Sequence, residues 1–146
     1  MKTRRFGETL ICRLERGEEI HEALKEIALK EHIQLGEVRA LGATDDLTVG
    51  CYDVATKTYH KNHFTQPMEI TMLYGNLSTM NGDYYAHLHV TAADEAGHVV
   101  GGHLNEARIS ATREMFITVL EGTVDRFFDE ETGLNLFQLD DAEHEA

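Results

Sequence analysis

The stretch Tyr84-Tyr85-Ala86-His87-Leu88-His89-Val90-Thr91-Ala92 contains the clearest structural pattern in this chain. Apolar residues alternate in it with His87, His89 and Thr91. Because successive side chains of a β-strand point to opposite faces, the pattern predicts a strand with one apolar face. The two histidines then leave the strand together on the other face. We therefore expect a sheet protein in which one strand carries two parallel imidazoles.

A third histidine follows in Val99-Val100-Gly101-Gly102-His103-Leu104. If the turn at 94–97 closes a hairpin, His103 falls opposite the first two histidines, and the glycine pair permits a bulge that aims it at their face. Neutral imidazole is a common metal ligand, and three protein nitrogens with an open fourth position are typical of catalytic zinc sites. His87, His89 and His103 are therefore predicted to bind a divalent metal, and nickel, copper or iron would use the same donors.

The alternative interpretation is that these histidines form hydrogen bonds at a partly buried surface or a subunit contact. His98 is near enough in sequence to act as a spare ligand, whereas the remaining histidines are interpreted as solvated. Glu114 suits either a general base beside a metal-bound water or an ion-paired strand residue, and the second interpretation is favoured. No nucleophile motif is present, so the catalytic residues are unknown and the sequence does not decide whether the protein is an enzyme.

Around this region the pattern predicts one helix and a series of strands. Apolar residues recur at helical spacing from Ile20, with acidic residues in the first turn, which predicts a helix over residues 18–32. The predicted strands cover 9–14, 38–43, 47–54, 58–64, 69–79, 84–92, 99–104, 108–120, 124–128 and 133–139, with turns at 44–46 and at Asn81-Gly82. This order indicates an α+β fold with a mainly antiparallel sheet packed on one main helix. Residues 1–139 are expected to form a single domain and 140–146 an acidic, disordered tail.

Charge excludes some function classes. The 146 residues include 26 acidic and 13 basic ones, which gives a net charge of −13. Since nucleic-acid affinity depends largely on lysine and arginine, this charge argues against direct DNA binding. We find no apolar run long enough to cross a bilayer and no signal-peptide core, and therefore expect a cytoplasmic protein without membrane contact. Cys12 and Cys51 are interpreted as buried, reduced thiols.

The segments that flank the histidines resemble a known family. They include Val38-Arg39-Ala40-Leu41-Gly42-Ala43, the run from Met68 to Leu77, His87-Leu88-His89-Val90, and Gly97-His98-Val99-Val100-Gly101-Gly102-His103-Leu104. The chain resembles the PPC domain (plants and prokaryotes conserved, also called DUF296) from about Arg5 to Leu139. The resemblance implies an α+β domain with an antiparallel sheet, assembly as a homotrimer, and a histidine cluster at His87, His89 and His103 for which zinc is the usual metal.

The resemblance also bears on function. Bacterial members are often labelled as predicted DNA-binding proteins, by analogy with plant relatives that contact DNA through an Arg-Gly-Arg-Pro type AT-hook outside this domain. This sequence has no such hook, since its single proline, Pro67, follows Gln66. We therefore expect a metal-binding, trimeric assembly or regulatory module. The alternatives are a DNA-binding transcriptional regulator and a metal-dependent enzyme that acts on a small molecule.

Overall fold

The computed structural model describes residues 1–139, which form nine strands and one helix. In chain order these are β1 (Lys2–Phe6), β2 (Thr9–Glu15), α1 (Ile20–Lys30), β3 (Gly36–Asp53), β4 (Thr58–Phe64), β5 (Met68–Met80), β6 (Asp83–Ala93), β7 (Val99–Val119), β8 (Arg126–Asp129) and β9 (Leu134–Phe137). All the strand pairings are antiparallel, which confirms the predicted α+β class with a mainly antiparallel sheet. The predicted tail at 140–146 lies outside the described residues.

The larger sheet closes on itself. Its seven strands follow the order β1-β2-β7-β6-β5-β3-β4, and β7 also pairs with β3. The pairings β3–β5, β5–β6, β6–β7 and β7–β3 therefore form a complete circuit, a small barrel to which β2, β1 and β4 are added. Strands β8 and β9 form a separate hairpin. Because the sheet closes, its inner surface forms an apolar core, and its outer surface can carry functional side chains.

Helix α1 packs its apolar stripe on the core. Ile20, Leu24 and Ile27 are at most 1% exposed, as their helical spacing requires. The helix begins later than predicted because Glu19 has extended backbone angles and its carboxylate accepts a hydrogen bond from the Glu22 amide, as an N-cap does. The helix therefore covers 20–30 rather than 18–32.

Two predicted strand breaks are wrong. Residues 44–46, predicted as a turn, lie within β3, and the segments 99–104 and 108–120 belong to one strand, β7. Both strands pass through register shifts, including those between Gly42 and Thr44 and between Thr44 and Asp46. The buried Thr44 hydroxyl donates to the carbonyl oxygen of Arg108 at 2.7 Å, so a residue type common in turns links two strands instead. Bulges of this kind let long strands bend around a barrel.

Other local predictions are confirmed or corrected by the backbone. The Asn81-Gly82 pair forms a two-residue hairpin turn with positive φ at both positions, 54° and 79°, as predicted. The strand β1 was not predicted, because its residues are all exposed and show no alternation. Both cysteines are free thiols, but Cys51 is exposed rather than buried. Within residues 1–139, no helix is long and apolar enough to span a membrane.

Candidate metal centre

The three predicted ligands meet on the outer surface of the barrel. His89 in β6 lies directly opposite His103 in β7, and directly opposed residues of an antiparallel pair share one face. His87 lies two residues before His89 and therefore on that same face. The predicted convergence is confirmed, although the pairing of β6 with β7 is regular from His89 to Ala93 and contains no bulge.

The glycine pair before His103 allows close backbone approach rather than a bulge. A Cβ atom on Gly101 would lie 2.4 Å from the carbonyl oxygen of Val90 in β6, and one on Gly102 would lie 2.6 Å from that of Gly50 in β3. Larger residues would therefore push β7 away from the strands on both sides. The two glycines let β7 pass between β6 and β3 at the point where His103 begins to face outward.

The spacing of the imidazoles suits a single ion. One ligand nitrogen from each histidine lies within 4.8 Å of the others, and Nε2 of His87 is 3.2 Å from Nε2 of His89. The ring centroids are 5.1 to 5.6 Å apart. Nitrogens bound to one tetrahedral ion at about 2.0–2.1 Å would lie roughly 3.3 Å from one another, so only small side-chain rotations separate this arrangement from a coordinated one.

The local environment lowers the pKa of two of the three histidines, which favours cation binding. Burial lowers the pKa of His87, with His89 and Arg126 as further causes. Burial, followed by the charges of His87, His89 and His21, lowers the pKa of His103 to about 4. Both imidazoles are therefore neutral at pH 7, and a neutral imidazole offers a nitrogen lone pair to a metal.

An aromatic residue flanks the cluster on the His103 side. The Tyr59 ring packs edge-on against the His103 ring, with centroids 6.2 Å apart, and its hydroxyl donates to Oδ1 of Asn105 at 2.9 Å. The Tyr59 ring lies over Gly50, where an added Cβ would be 2.1 Å from the phenolic oxygen. The sequence did not predict that Tyr59 lies beside the histidines, because Tyr59 is more than forty residues from His103 along the chain and only the strand pairings bring them together.

Arg126 lies on the His87 side of the histidine cluster, and its side chain is fixed by three hydrogen bonds. Arg126, from β8, donates through Nε to Ser78 Oγ at 2.9 Å, through Nη2 to Asn76 Oδ1 at 2.8 Å, and through Nη1 to the Asn135 carbonyl oxygen at 2.8 Å. Its guanidinium also lies 4.7 Å from the centroid of the Tyr85 ring. Asn76 is the residue of β5 directly opposite His87. The β8–β9 hairpin is thereby attached beside the candidate centre.

The other candidate residues lie outside the cluster. His98, considered as a spare ligand, pairs with Asp94 at 3.2 Å on an exposed turn. His63 pairs with Asp46 at 2.7 Å. Glu114 lies opposite Arg13 and Leu41 in the sheet and lines an open depression with Met72 and Phe116, away from the three histidines. Among the described residues, the metal-ligand geometry is met by the histidine triad alone.

Comparison with known proteins agrees with this description. The model of the Plants and Prokaryotes Conserved (PCC) domain matches residues 1–121. A solved structure described as a "putative DNA binding protein" from Bacteroides thetaiotaomicron is 28% identical, with a TM-score of 0.92 over 94% of this chain and 96% of that chain. A metal-containing protein from Archaeoglobus fulgidus is 31% identical, with a TM-score of 0.84 over 95% of this chain and 100% of that chain. No curated protein matches the chain.

Proposed function

The chain belongs to the Plants and Prokaryotes Conserved domain family, and we propose that it binds one divalent metal ion, zinc in the first place, through His87, His89 and His103. The observation that carries the proposal is the convergence of three imidazoles from two paired strands on one outer face. The similar protein from Archaeoglobus fulgidus is described as metal-containing, which supports the same assignment.

Metal analysis tests the proposal directly. Untagged protein, purified without chelators, is expected to contain about one transition-metal ion per chain, since one triad supplies one set of ligands. Elemental analysis of the purified protein gives this ratio and identifies the metal. Protein that is metal-free, and stays so after incubation with zinc and removal of the excess, would return the histidines to a structural role.

The role that we propose for the folded domain is that of an assembly or regulatory module built as a homotrimer. Five apolar side chains, which we call the outer apolar face, are exposed on neighbouring strands: Ile11, Leu41, Met72, Tyr74 and Phe116. The register pairs Ile11 with Phe116, Phe116 with Arg39, and Arg39 with Tyr74. Exposed apolar side chains grouped in this way, here around Arg39, are typical of protein contacts, and they support contact with further copies of the chain.

Substitution on this face is expected to dissociate the assembly. Phe116→Glu places a charge in the middle of the outer apolar face, whereas Leu29→Glu, at a side chain 57% exposed on α1, does not touch it. Light scattering after size-exclusion chromatography should give three chains for the parent and for Leu29→Glu, and one chain for Phe116→Glu. A monomeric parent, or an unchanged mass for Phe116→Glu, would contradict this assignment.

A metal-dependent enzyme that acts on a small molecule is the second candidate function. A divalent ion held by three protein ligands keeps one coordination position open, and it would supply Lewis acidity at the surface of the protein. Tyr59 beside His103, and Asn76 opposite His87 and bonded to Arg126, place an aromatic ring and polar groups next to the three histidines. Hydrolytic and lyase substrates tested with the metal-loaded protein distinguish this function from assembly alone.

DNA binding is the third candidate, because two solved relatives are described as putative DNA-binding proteins. The net charge of −13 opposes it, since phosphate contacts require many lysines and arginines. We expect the protein at about 10 µM to leave the electrophoretic mobility of duplex DNA unchanged even at low salt, where nonspecific binding is strongest. Retardation that weakens as the salt concentration rises would contradict this expectation.

A further inference from the structure

Within residues 1–139, Arg126 lies beside the candidate metal centre without a carboxylate partner. Its guanidinium donates to three neutral oxygens, those of Ser78, Asn76 and Asn135, and it lies over the rings of Tyr85 and Phe137. Among the ion pairs formed within residues 1–139, none includes Arg126. The Arg126 guanidinium is therefore fixed by hydrogen bonds to uncharged groups, which leave its positive charge uncompensated.

The charge balance of the loaded centre favours an anion. A histidine ligand brings no negative charge to the ion it binds, so three of them would leave the two positive charges of a divalent ion uncompensated. Arg126, bonded to Asn76 opposite His87, adds a third positive charge. By register the neighbouring carboxylate is that of Glu37, which flanks Asn76 on the side away from His87 and lies 3.8 Å from Arg39. With an ion bound, this would be a local excess of positive charge among the described residues of a chain whose net charge is −13.

The orientation of Asn76 supplies a hydrogen-bond donor at the same place. Its Oδ1 accepts from Nη2 of Arg126, so its amide NH₂ group points away from the guanidinium. Asn76 shares the outer face with His87, directly opposite it, and such neighbours have Cβ atoms about 4.5–5.5 Å apart. Without Arg126 the amide could turn over and present its oxygen to the site instead.

We infer that the open position of the metal centre takes an oxygen anion of the carboxylate class, that Asn76 donates a hydrogen bond to this anion, and that Arg126 is the positioning residue for Asn76. The inference rests on the proposed metal site and names the chemical class of its ligand. Arg126 lies in β8, beyond residue 121 where the family match ends. The β8–β9 hairpin therefore contributes to the selectivity of a centre whose metal ligands lie in β6 and β7.

Acetate binding to the cobalt-loaded full chain tests the inference without an activity assay. The visible absorption of bound Co²⁺ reports its ligands, and sodium acetate is titrated at constant ionic strength. We expect saturable acetate binding to the parent and an affinity at least about tenfold weaker for Asn76→Ala, since a hydrogen bond to a charged group is lost. Asn76→Asp, which replaces the donor with a carboxylate, should weaken acetate binding more.

Arg126→Met should weaken acetate binding to a similar extent, and the double variant Asn76→Ala/Arg126→Met should lose little more than the weaker single variant, because both act through one contact. Arg39→Met removes a positive charge from the same outer face without touching Asn76, and it should stay within about twofold of the parent. Cobalt affinity should change by less than about threefold in Asn76→Ala, since among the described residues the Asn76 side chain bonds to Arg126 and to none of the three histidines.

The outcomes separate this inference from the proposed function. A parent that binds no cobalt overturns the metal site and the inference with it. A parent that binds cobalt normally, but whose acetate affinity is unchanged by both Asn76 substitutions, overturns the inference and leaves the metal site intact. Equal losses for Arg39→Met and Arg126→Met would show that general charge, not the oriented amide, attracts the anion, and would also overturn it.

Discussion

His103→Ala is expected to weaken zinc binding by more than about a hundredfold, since loss of a group that merely supports a ligand already costs roughly 10- to 100-fold. His103 supplies one of the three nitrogens and lies directly opposite His89, so the remaining pair cannot enclose an ion from both strands. His87→Ala should have a comparable effect, and the double variant should purify without metal. Competition with a chromophoric chelator measures the affinity, and elemental analysis measures the occupancy.

Two control variants separate this result from a general effect of removing histidine. His98→Ala and His63→Ala each remove an exposed imidazole that pairs with a carboxylate outside the cluster. Both should bind zinc as the parent does. The fold of His103→Ala should persist, because His103 is not part of the buried apolar core. Full zinc occupancy in the double variant His87→Ala/His103→Ala would show that the ion is bound elsewhere or not by these residues.

The histidine strand and the helix are the elements that local sequence predicts best. The alternation of residue types around His87 and His89 predicts the two faces of β6. The spacing of Ile20, Leu24 and Ile27 predicts the buried stripe of α1. Asn81-Gly82 predicts its turn because both residues tolerate positive φ. In each case the structure depends on residues that are close together in the sequence, so the periodicity of the sequence is enough to predict it.

Closure of the barrel has no such local signal. Residues 44–46 carry side chains that are typical of turns, and Thr44 uses its hydroxyl to bond with Arg108, a contact across 64 residues. The same limit applies to the surroundings of the candidate metal centre. Tyr59 lies beside His103, and Arg126 bonds to Asn76 opposite His87, through strand pairings and a hairpin that the linear sequence does not reveal. By contrast, the shared face of His87 and His89 follows from their spacing. Whether His103 faces the same side as His89 depends on the pairing register, which only the structure supplies.

Gly75→Ala should produce the largest loss of stability among single-methyl changes near the centre. A Cβ atom on Gly75 would lie 2.1 Å from the carbonyl oxygen of His87 and 2.8 Å from Cα of Leu88. Both contacts are with the backbone of β6, so no side-chain rotation can relieve them, and β5 must separate from β6. We expect a loss of about 3 kcal/mol in the free energy of unfolding, at the upper end of the range for overpacking.

The same change should also weaken metal binding, and the comparison with Gly97→Ala makes both effects testable. Leu88, which faces Gly75, is flanked by His87 and His89, so displacement of β6 moves two ligands at once. A Cβ atom on Gly97 would meet nothing within 4 Å, and the φ of this residue is 80°, so alanine there should cost only about 1 kcal/mol through the left-handed backbone. Urea unfolding of metal-free protein measures stability, and chelator competition on folded protein measures zinc affinity. If Gly75→Ala proves no more costly than Gly97→Ala, the close packing of β5 on the histidine strand is not what holds the ligands in place.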